Sequence, residues 1–554
     1  MDWTKTTAEP WLTAACAQAV RINEDNLKKI LADNQDTIFG RERSFASIHS
    51  AEEYRRRIPL FTYAGLQPYI ERMRAGEENV LTAYPVAGFC TTSGTEGEPK
   101  YIPVSETALE RFGGRIEWYK NLVHGKAGGK RLFVNGFRIG LSQKKEEYLL
   151  SELYYQRLFR EGLLPFSEFA GGEETLFGQK GNDMLYVKVW TAFAAEDVTT
   201  IESIFLYDQL LFFQYMQKHW RSILKHMAEK RIPDRIRLTE KTRTRLLSMP
   251  VSRTRLQQAA EECRKGFDGI AERLWSGLVL SSGISNAAFE AEDKSLRRYL
   301  GKIPVYYFAY VASECHMGVA LQKEDCRYVM LPESAFYEYL PWRQDEEDEA
   351  EETLLPGQVQ EGGLYELVLT TFSGLYRYRL GDVVRVTGFL GESPVVEFVL
   401  RKNQLLNVAG EKMSIFQAER AVLKLIRETG LPICRYCIGQ LTWKCPSGYG
   451  AVFELEEKIT AASEKQEEGR PDERLTAKCL DRALGEQNPD YLDVRKLGFL
   501  KRPEVLFLGA EEYTAFQEEC GLTGGHGKPR HAAGGIEEKV WKRWKEEGKR
   551  RTEA

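Results

Sequence analysis

The sequence predicts a mixed α/β protein with a large N-terminal domain and a small C-terminal α/β domain. Its 554 residues, 43% of them hydrophobic, exceed what one hydrophobic core accommodates, so two or three domains are expected. Strand-like runs such as VYYFAYVASE alternate with helical patterns, which is typical of an α/β core. From Leu364 the pattern changes to β-rich segments joined by glycine turns. We place the boundary near Arg401 and Lys402, which gives domains of residues 1–400 and 401–554.

Individual elements follow from local patterns. Aromatic residues recur at helical spacing from Ser203 to Arg231, which predicts a long helix packed on a core. The segments after Leu364, including YELVLTT and VVEFVLRKNQLL, predict a small β-barrel-like subdomain. SIFQAERAVLKLIRETG predicts an amphipathic helix that ends at Gly430. The strands YGAVFELE and PEVLFLG, with a helix near Arg474 to Leu484, complete the small domain.

Charge and composition narrow the class of partner. The 77 basic and 81 acidic residues give a net charge of -4, which provides no field to attract nucleic acid or an anionic membrane. The basic stretch KVWKRWKEEGKRR is interleaved with glutamate and predicts a solvated terminal helix. The start of the chain lacks a secretion signal, and the most apolar window is too short to span a bilayer. We expect a cytoplasmic monomer whose partners are small molecules.

The cysteines do not form a recognisable framework. Ten cysteines at irregular spacing suit reduced thiols better than disulfides. Cys434 and Cys437 form a CxxC, with Cys445 nearby, but a structural zinc site requires four ligands. The stretch PICRYCIGQLTW is therefore interpreted as a strand.

The strongest local motif is FCTTSGTEGEPKYIP, which begins at Phe89. It places hydroxyl side chains, glycines and Lys100 in one turn between two strand-like runs. Such a turn can direct backbone N–H groups, hydroxyls and an ammonium at a single anion, as phosphate binding requires. The Walker A pattern is absent, and spacing alone leaves an ordinary glycine turn as an equal alternative.

TTSGTEGEPK resembles the phosphate loop of the adenylate-forming superfamily. Two further stretches, YVASECHMGVALQKEDCRYVMLPESAFYEYLP (310–341) and GLYRYRLGDVVRVTGF (374–389), are similar to motifs of the Gretchen Hagen three family of acyl acid amido synthetases. The order and spacing agree, and weaker similarity continues to GKPRHA near Lys528. Similarity is weakest from 115 to 280, where the family's acyl pocket lies. The resemblance implies an N-terminal adenylate-forming domain with the ATP and acyl acid sites, followed by a small mobile domain.

The resemblance also implies the residues of the site. The phosphates would be contacted by Thr92, Ser93, Thr95 and Ser313. The adenine would lie near Tyr310 and Gly283, and Asp382 would bind the ribose hydroxyls. Arg401 would lie at the hinge between the domains, and Lys412 would be brought to the phosphates.

Glu314 has an argument of its own, because a carboxylate at the end of a buried strand can hold Mg²⁺ against phosphate oxygens. The family usually has serine where Ala312 stands. Tyr376, Arg377, Tyr378 and Arg379 alternate on a strand, so only one face can meet the ligand, and their roles stay open.

The sequence therefore predicts an ATP-dependent ligase that adenylates a carboxylic acid and passes the acyl group to an amine, most simply that of an amino acid. Two alternatives stay open: a ligase with a thiol acceptor such as coenzyme A, and an inactive nucleotide-binding regulator. Neither a G-x-S-x-G elbow nor an HExxH motif competes. Arg111 and Arg115 are candidate carboxylate anchors, or else members of salt bridges on a helix surface. The acid and the amine are not identified by the sequence.

Overall fold

A computed structural model describes residues 10–92, 100–113, 129–135, 146–148, 150–177, 183–284, 290–343, 352–402, 405–406, 408, 411, 413–444, 446–455, 471–520, 522, 532–533 and 535–550. The chain forms two compact units; the larger ends at Phe398, and the main segment of the smaller begins at Val399. No helix in these ranges is both long and apolar enough to cross a membrane.

Up to Phe398, the helices are α1 Pro10–Cys16, α2 Ala19–Asn34, α3 Ile38–Glu42, α4 Ala51–Arg57, α5 Tyr63–Arg74, α6 Glu106–Gly113, α7 Leu150–Arg160, α8 Glu173–Leu176, α9 Met184–Ala194, α10 Leu206–Ala228, α11 Glu240–Ser248, α12 Arg253–Arg264, α13 Ile270–Leu274 and α14 Glu290–Leu300.

The strands that begin in the same part of the chain are β1 Val86–Thr92, β2 Lys100–Ser105, β3 Lys130–Phe133, β4 Glu146–Tyr148, β5 Val198–Phe205, β6 Leu280–Ile284, β7 Val305–Tyr307, β8 Ala309–Ala312, β9 Cys315–Ala320, β10 Arg327–Met330, β11 Ala335–Pro341, β12 Leu364–Thr371, β13 Tyr378–Leu390 and β14 Ser393–Arg401.

A parallel sheet of order β3-β5-β6-β7 and a seven-stranded sheet of order β11-β12-β13-β14-β10-β9-β8 dominate the larger unit. Strands β5 and β6 are buried almost throughout, and the all-apolar face of α9 and the aromatic residues of α10 form one core with them. Such continuous burial is the rule for parallel strands covered by helices. A small sheet of order β2-β1-β4 carries the hairpin that contains the glycine-rich turn.

The seven-stranded sheet is strongly curled. Strands β14, β10 and β9 lie between β13 and β8 in the sheet, so a flat sheet would hold β13 and β8 about 19 Å apart at about 4.8 Å per step. Yet the Tyr310 hydroxyl on β8 donates to the Asp382 carboxylate on β13 at 3.0 Å. The sheet therefore curls so that β8 and β13 approach each other, which gives the β-barrel-like subdomain expected from the segments after Leu364.

The smaller unit is a three-layer α/β structure. Its elements are β15 Leu405–Leu406, β16 Met413–Ser414, α15 Ile415–Thr429, β17 Ile433–Leu441, β18 Gly448–Leu455, α16 Glu473–Gln487, α17 Pro489–Lys496, β19 Glu504–Leu508, α18 Ala510–Glu519, β20 Ala532–Ala533 and α19 Glu538–Arg550.

Its main sheet has the order β19-β18-β17-β20, and successive residues of β17, β18 and β19 face opposite cores. Tyr436 and Ile438 pack with α15 and α16, whereas Cys437 between them packs with α18 and α19. The predicted amphipathic helix is α15, and Gly430 follows it with a positive φ of 65°. Cys434 and Cys437 lie on β17, as the strand interpretation expected.

Three predicted elements differ from the structure. The helix expected from Ser203 begins at Leu206, because Ser203 to Phe205 complete β5. VYYFAYVASE is divided at Phe308 into β7 and β8, which belong to different sheets. The terminal helix α19 is not wholly solvated, because Trp541 and Trp544 are buried against the small-domain core.

Candidate active site

A hydrogen bond joins Tyr310 on β8 to Asp382 on β13 within the curled sheet. The Tyr310 hydroxyl donates to Asp382 Oδ2 at 3.0 Å, and Asp382, on β13, is only 3% exposed. The Tyr310 ring also packs 5.8 Å from the Tyr328 ring and 6.3 Å from the Phe398 ring. The carboxylate is thus held beside an aromatic surface, an arrangement that suits a ribose and its base.

Glu314 lies four residues further along the chain from Tyr310, at the tip of a tight hairpin. Strands β8 and β9 pair Ala312 with Cys315, so Ser313 and Glu314 form the two-residue turn between them. The Tyr378 hydroxyl donates to Glu314 Oε1 at 3.2 Å. Because Tyr378 opens β13 and Asp382 follows on the same strand, one strand positions both carboxylates.

Gly283 approaches the same region from the parallel sheet. Its carbonyl accepts the Phe308 N–H at 3.2 Å, which links β6 to the start of β8. A Cβ at this position would lie 3.0 Å from Leu206 Cδ2 and 3.0 Å from Ser203 Oγ. The close packing of β6 on α10 therefore gives this glycine a steric role, whatever it contributes to a ligand.

The glycine-rich turn is anchored at its base. Thr92 is the last residue of β1 and pairs with Lys100, the first of β2, while Ser93 and Thr95 lie outside the described residues. The Ser105 hydroxyl at the other end of β2 donates to the Phe372 carbonyl at 2.9 Å. The hairpin is thereby attached to the segment that leads into β13.

Two predicted residues belong to the second part of the chain. Arg401 is the half-buried last residue of β14. Lys412 lies outside the described residues. Their roles at the hinge and at the phosphates stay predictions.

A cavity opens beside Glu314 within the larger unit. Arg111, Tyr154, His316 and Phe372 are among its lining residues, and its free volume is about 30 Å³, enough for about one water molecule. Arg111 is fixed in the wall: its guanidinium lies 3.7 Å from the Phe372 ring centre, and Nη1 donates to the Glu333 carbonyl at 2.8 Å. Arg115, the other proposed anchor, is outside the described residues.

The Cys90 thiol is buried near the Glu152 and Glu314 carboxylates. Burial, and then the charges of Glu152 and Glu314, raise the pKa of the Cys90 thiol well above its ordinary value. Cys90 therefore stays a neutral thiol and serves as packing.

Glu314 can serve as one ligand of Mg²⁺. The described residues contain no group of three or more His, Cys, Asp or Glu side chains arranged to hold a metal ion. Magnesium nevertheless binds through one or two carboxylates when substrate phosphates and water supply the other ligands. A lone carboxylate at a turn fits a magnesium ion that arrives with a nucleotide, and does not fit a permanently bound structural metal.

The sequence left the roles of Tyr376 to Arg379 open, and the structure separates them. Tyr376 stacks on Phe39 with 4.9 Å between ring centres and donates to the Leu81 carbonyl at 2.7 Å, so it belongs to the core. Arg379 is paired with Glu366 at 2.6 Å. Of the two tyrosines, Tyr378 is the one that contacts Glu314, and no pattern in the sequence distinguished it from Tyr376.

Comparison with known proteins places these features in context. Residues 9–305 match the GH3 family N-terminal domain, residues 328–401 the GH3 family central domain, and residues 416–532 the GH3 family C-terminal domain. The chain is similar to the indole-3-acetic acid-amido synthetase GH3.2 of Arabidopsis thaliana, with 26% identity over 83% of this chain and 87% of the other. It is 25% identical to the jasmonoyl-L-amino acid synthetase GH3.5 of Oryza sativa subsp. japonica, over 71% of this chain and 72% of the other.

Solved structures have the same fold. The AtGH3.15 acyl acid amido synthetase in complex with 2,4-DB superimposes with a TM-score of 0.83 at 22% identity, covering 99% of this chain and 97% of the other. A 2-hydroxyisobutyryl-CoA ligase in the postadenylation state gives a TM-score of 0.52 at 11% identity, covering 99% of this chain and 94% of the other. The fold is thus shared with enzymes of the adenylate-forming class.

Proposed function

Because the chain belongs to the GH3 family, we propose that it is an ATP-dependent acyl acid amido synthetase that joins a carboxylic acid to an amine, most simply that of an amino acid. The observation that carries the proposal is the pair of hydrogen bonds from Tyr310 to Asp382 and from Tyr378 to Glu314. They bring two carboxylates of separate motifs to one region of a single unit. Such a region offers both a ribose acceptor and a cation ligand.

The first step activates the acid. A carboxylate oxygen attacks the α-phosphorus of ATP, an O–P bond forms, and the bond to the bridging oxygen breaks to release pyrophosphate. We assign ribose recognition to Asp382, whose two oxygens can accept from both ribose hydroxyls. The adenine would lie between Tyr310 and Gly283. The hydrogen bond from the Tyr310 hydroxyl keeps the Asp382 carboxylate oriented before the nucleotide binds.

The phosphates would meet a separate set of groups. Thr92, Ser93, Thr95 and Ser313 supply hydroxyls and N–H groups, and Lys412 supplies an ammonium that offsets charge at the α-phosphorus. Glu314 would hold Mg²⁺, which, when bound, neutralises phosphate charge. The hydrogen bond from Tyr378 keeps the Glu314 carboxylate turned toward that position.

The second step forms the amide. The amine attacks the acyl carbon of the adenylate, a C–N bond forms, the bond to the phosphate oxygen breaks, and AMP leaves; the amine proton passes to solvent. We propose that residues 401–554 form a mobile domain that moves about a hinge at Arg401 between the two steps, as gating motions do in many enzymes.

The acid would enter the cavity beside Glu314. Apolar side chains, including Leu109, Leu150 and Tyr154, form much of its wall, and Arg111 adds a positive charge. A cavity of about 30 Å³ is far below the roughly 300 Å³ of a typical ligand pocket, so side chains must move to admit even a small acid.

A panel of carboxylic acids crossed with amino acids and coenzyme A tests the proposal. The full chain should release pyrophosphate only with a matching acid, and mass spectrometry should identify an amide after an amino acid is added. A thioester formed in preference to every amide would replace this proposal with the coenzyme A alternative. No acyl-AMP with any acid, despite ATP binding, would favour the inactive regulator.

A further inference from the structure

Arg377 occupies an unusual position immediately before β13. Its φ of 42° lies in the left-handed region, which residues other than glycine rarely adopt, and it is only 4% exposed. The residue lies one position before Tyr378, which contacts Glu314, and five positions before Asp382. The backbone geometry at Arg377 therefore affects the direction of the strand that carries Tyr378 and Asp382.

The guanidinium is held by a buried network. Nε donates to both carboxylate oxygens of Glu338 at 3.1 Å, and Nη2 donates to Glu338 Oε1 at 2.8 Å. Nη1 donates to the carbonyls of Arg55 at 2.6 Å and Ile58 at 2.7 Å, at the end of α4. Glu338, on β11, is fully buried. The planar fork thus ties β11 and α4 to one point of the backbone, which a lysine could not do.

The peptide groups of Arg377 are fixed as well. Its N–H donates to Thr370 Oγ1 at 3.0 Å, and its carbonyl accepts the Phe61 N–H at 2.9 Å. The Thr370 hydroxyl lies 2.9 Å from the Tyr54 hydroxyl on α4. The hydrogen bonds of the side chain and of the main chain together stabilise the left-handed conformation of Arg377, which would otherwise be unfavourable.

The left-handed conformation of Arg377 lets the side chains of its two neighbours, Tyr376 and Tyr378, reach different parts of the protein. In a regular strand, residues i and i+2 share a face, so Tyr376 and Tyr378 would point the same way. Instead the Tyr376 hydroxyl reaches the Leu81 carbonyl in the N-terminal core, and the Tyr378 hydroxyl reaches Glu314. The turn at Arg377 makes both contacts possible.

We propose that Arg377 is a positioning residue of the nucleotide site: its ion pair with Glu338 holds the left-handed turn that aims Tyr378 at Glu314 and sets the position of Asp382. This inference rests on the proposed function. Arg377 contacts neither nucleotide nor acid, and it acts through the strand that follows it.

The experiment measures MgATP binding by calorimetry for the full-length chain, at a temperature where every variant is folded. Arg377→Lys keeps the charge and loses the fork, and Glu338→Gln keeps the shape and loses the partner charge. Each should weaken MgATP binding tenfold or more. If Arg377→Lys does not fold, the MgATP affinity of Glu338→Gln alone tests the role of the ion pair.

A matched control comes from a second buried ion pair among the described residues of the larger unit. Arg131, on β3, is fully buried and its Nε donates to Glu202 Oε1, on β5, at 2.8 Å. Arg131→Lys should lower the melting temperature and change MgATP affinity by less than twofold. This control shows whether the loss of a buried ion pair lowers MgATP affinity simply because it lowers the stability of the fold.

A double-variant cycle tests the route through Tyr378. In a Tyr378→Phe background, Arg377→Lys should shift the Mg²⁺ dependence of ATP binding less than in the parent, because the contact it positions is already lost. An equal shift in both backgrounds would overturn the positioning role of Arg377. The same conclusion would follow if Arg377→Lys and Glu338→Gln both bound MgATP within twofold of the parent. Neither result would overturn the proposed function. A parent chain that does not bind ATP would overturn the proposed function, and this inference with it.

Discussion

Removing the Asp382 carboxylate should weaken ATP binding far more than it weakens the fold. The side chain is almost wholly buried and accepts a hydrogen bond from Tyr310. In the proposed complex it accepts two more, from the ribose hydroxyls. Hydrogen bonds to a charged group contribute about 1.5 to 3 kcal/mol each, so the loss of two gives about 3 kcal/mol at the low end, roughly a 150-fold increase in Kd.

The comparison of two variants at Asp382 makes the reasoning quantitative. Asp382→Ala should show the full loss, whereas Asp382→Asn keeps one neutral acceptor and should lose roughly tenfold in affinity. Tyr310→Phe removes the donor to Asp382 without removing an acceptor, and should change affinity less than either.

Calorimetric titration with ATP, alongside thermal unfolding of each variant, provides the measurement. Asp382→Ala with an ATP affinity within twofold of the parent would refute the assignment of the ribose to Asp382. A loss that is equally large in Tyr310→Phe would show that the hydrogen bond, and not the carboxylate, governs the site.

The remaining predictions concern the metal, the small domain and a buried acid. Glu314→Gln should bind ATP nearly as the parent does without Mg²⁺ but lose the magnesium-dependent part of pyrophosphate release; unchanged magnesium dependence would contradict its role as a ligand. Lys412→Ala should slow acyl-AMP formation by about 10²-fold in rapid-quench assays with little change in ATP affinity, and an unaltered rate would contradict it. Burial raises the pKa of Glu419 on α15 to about 8, and its Oε1 has no hydrogen-bond partner. Because the folded-state pKa is above that of the unfolded chain, stability should fall by about 1.4 kcal/mol per pH unit from about pH 5 to about pH 8, and Glu419→Gln should flatten this dependence in urea unfolding; identical pH profiles would refute it.

The sequence revealed those parts of the site that are short and local. The β-rich series after Leu364 and the amphipathic helix before Gly430 each depend on spacing within a few residues, and both are found where they were predicted. The glycine-rich turn also depends on short spacing, but it lies outside the described residues and stays a prediction. Glu314 was singled out as a carboxylate at the end of a buried strand, and it lies two residues beyond β8, in the turn that leads into β9.

The contacts that assemble the site could not be predicted in this way. Tyr310 and Asp382 are 72 positions apart, and Arg377 and Glu338 are 39 apart. The first pair meets because the seven-stranded sheet curls, and curvature depends on packing along the whole sheet. The second pair joins β11 to the residue before β13, two strands away, and needs the strand order and register of that sheet. Tyr376 and Tyr378 look alike in sequence, and only the left-handed backbone at Arg377 sends one to the core and the other to Glu314.

A crystal structure of the chain with ATP and Mg²⁺ tests the central claim most directly, because it does not require the acid to be known. We expect the ribose hydroxyls within 3.2 Å of Asp382, the adenine beside Tyr310, and the metal bound to Glu314 and phosphate oxygens. Nucleotide density at another surface, with Asp382 and Glu314 unliganded, would contradict the account.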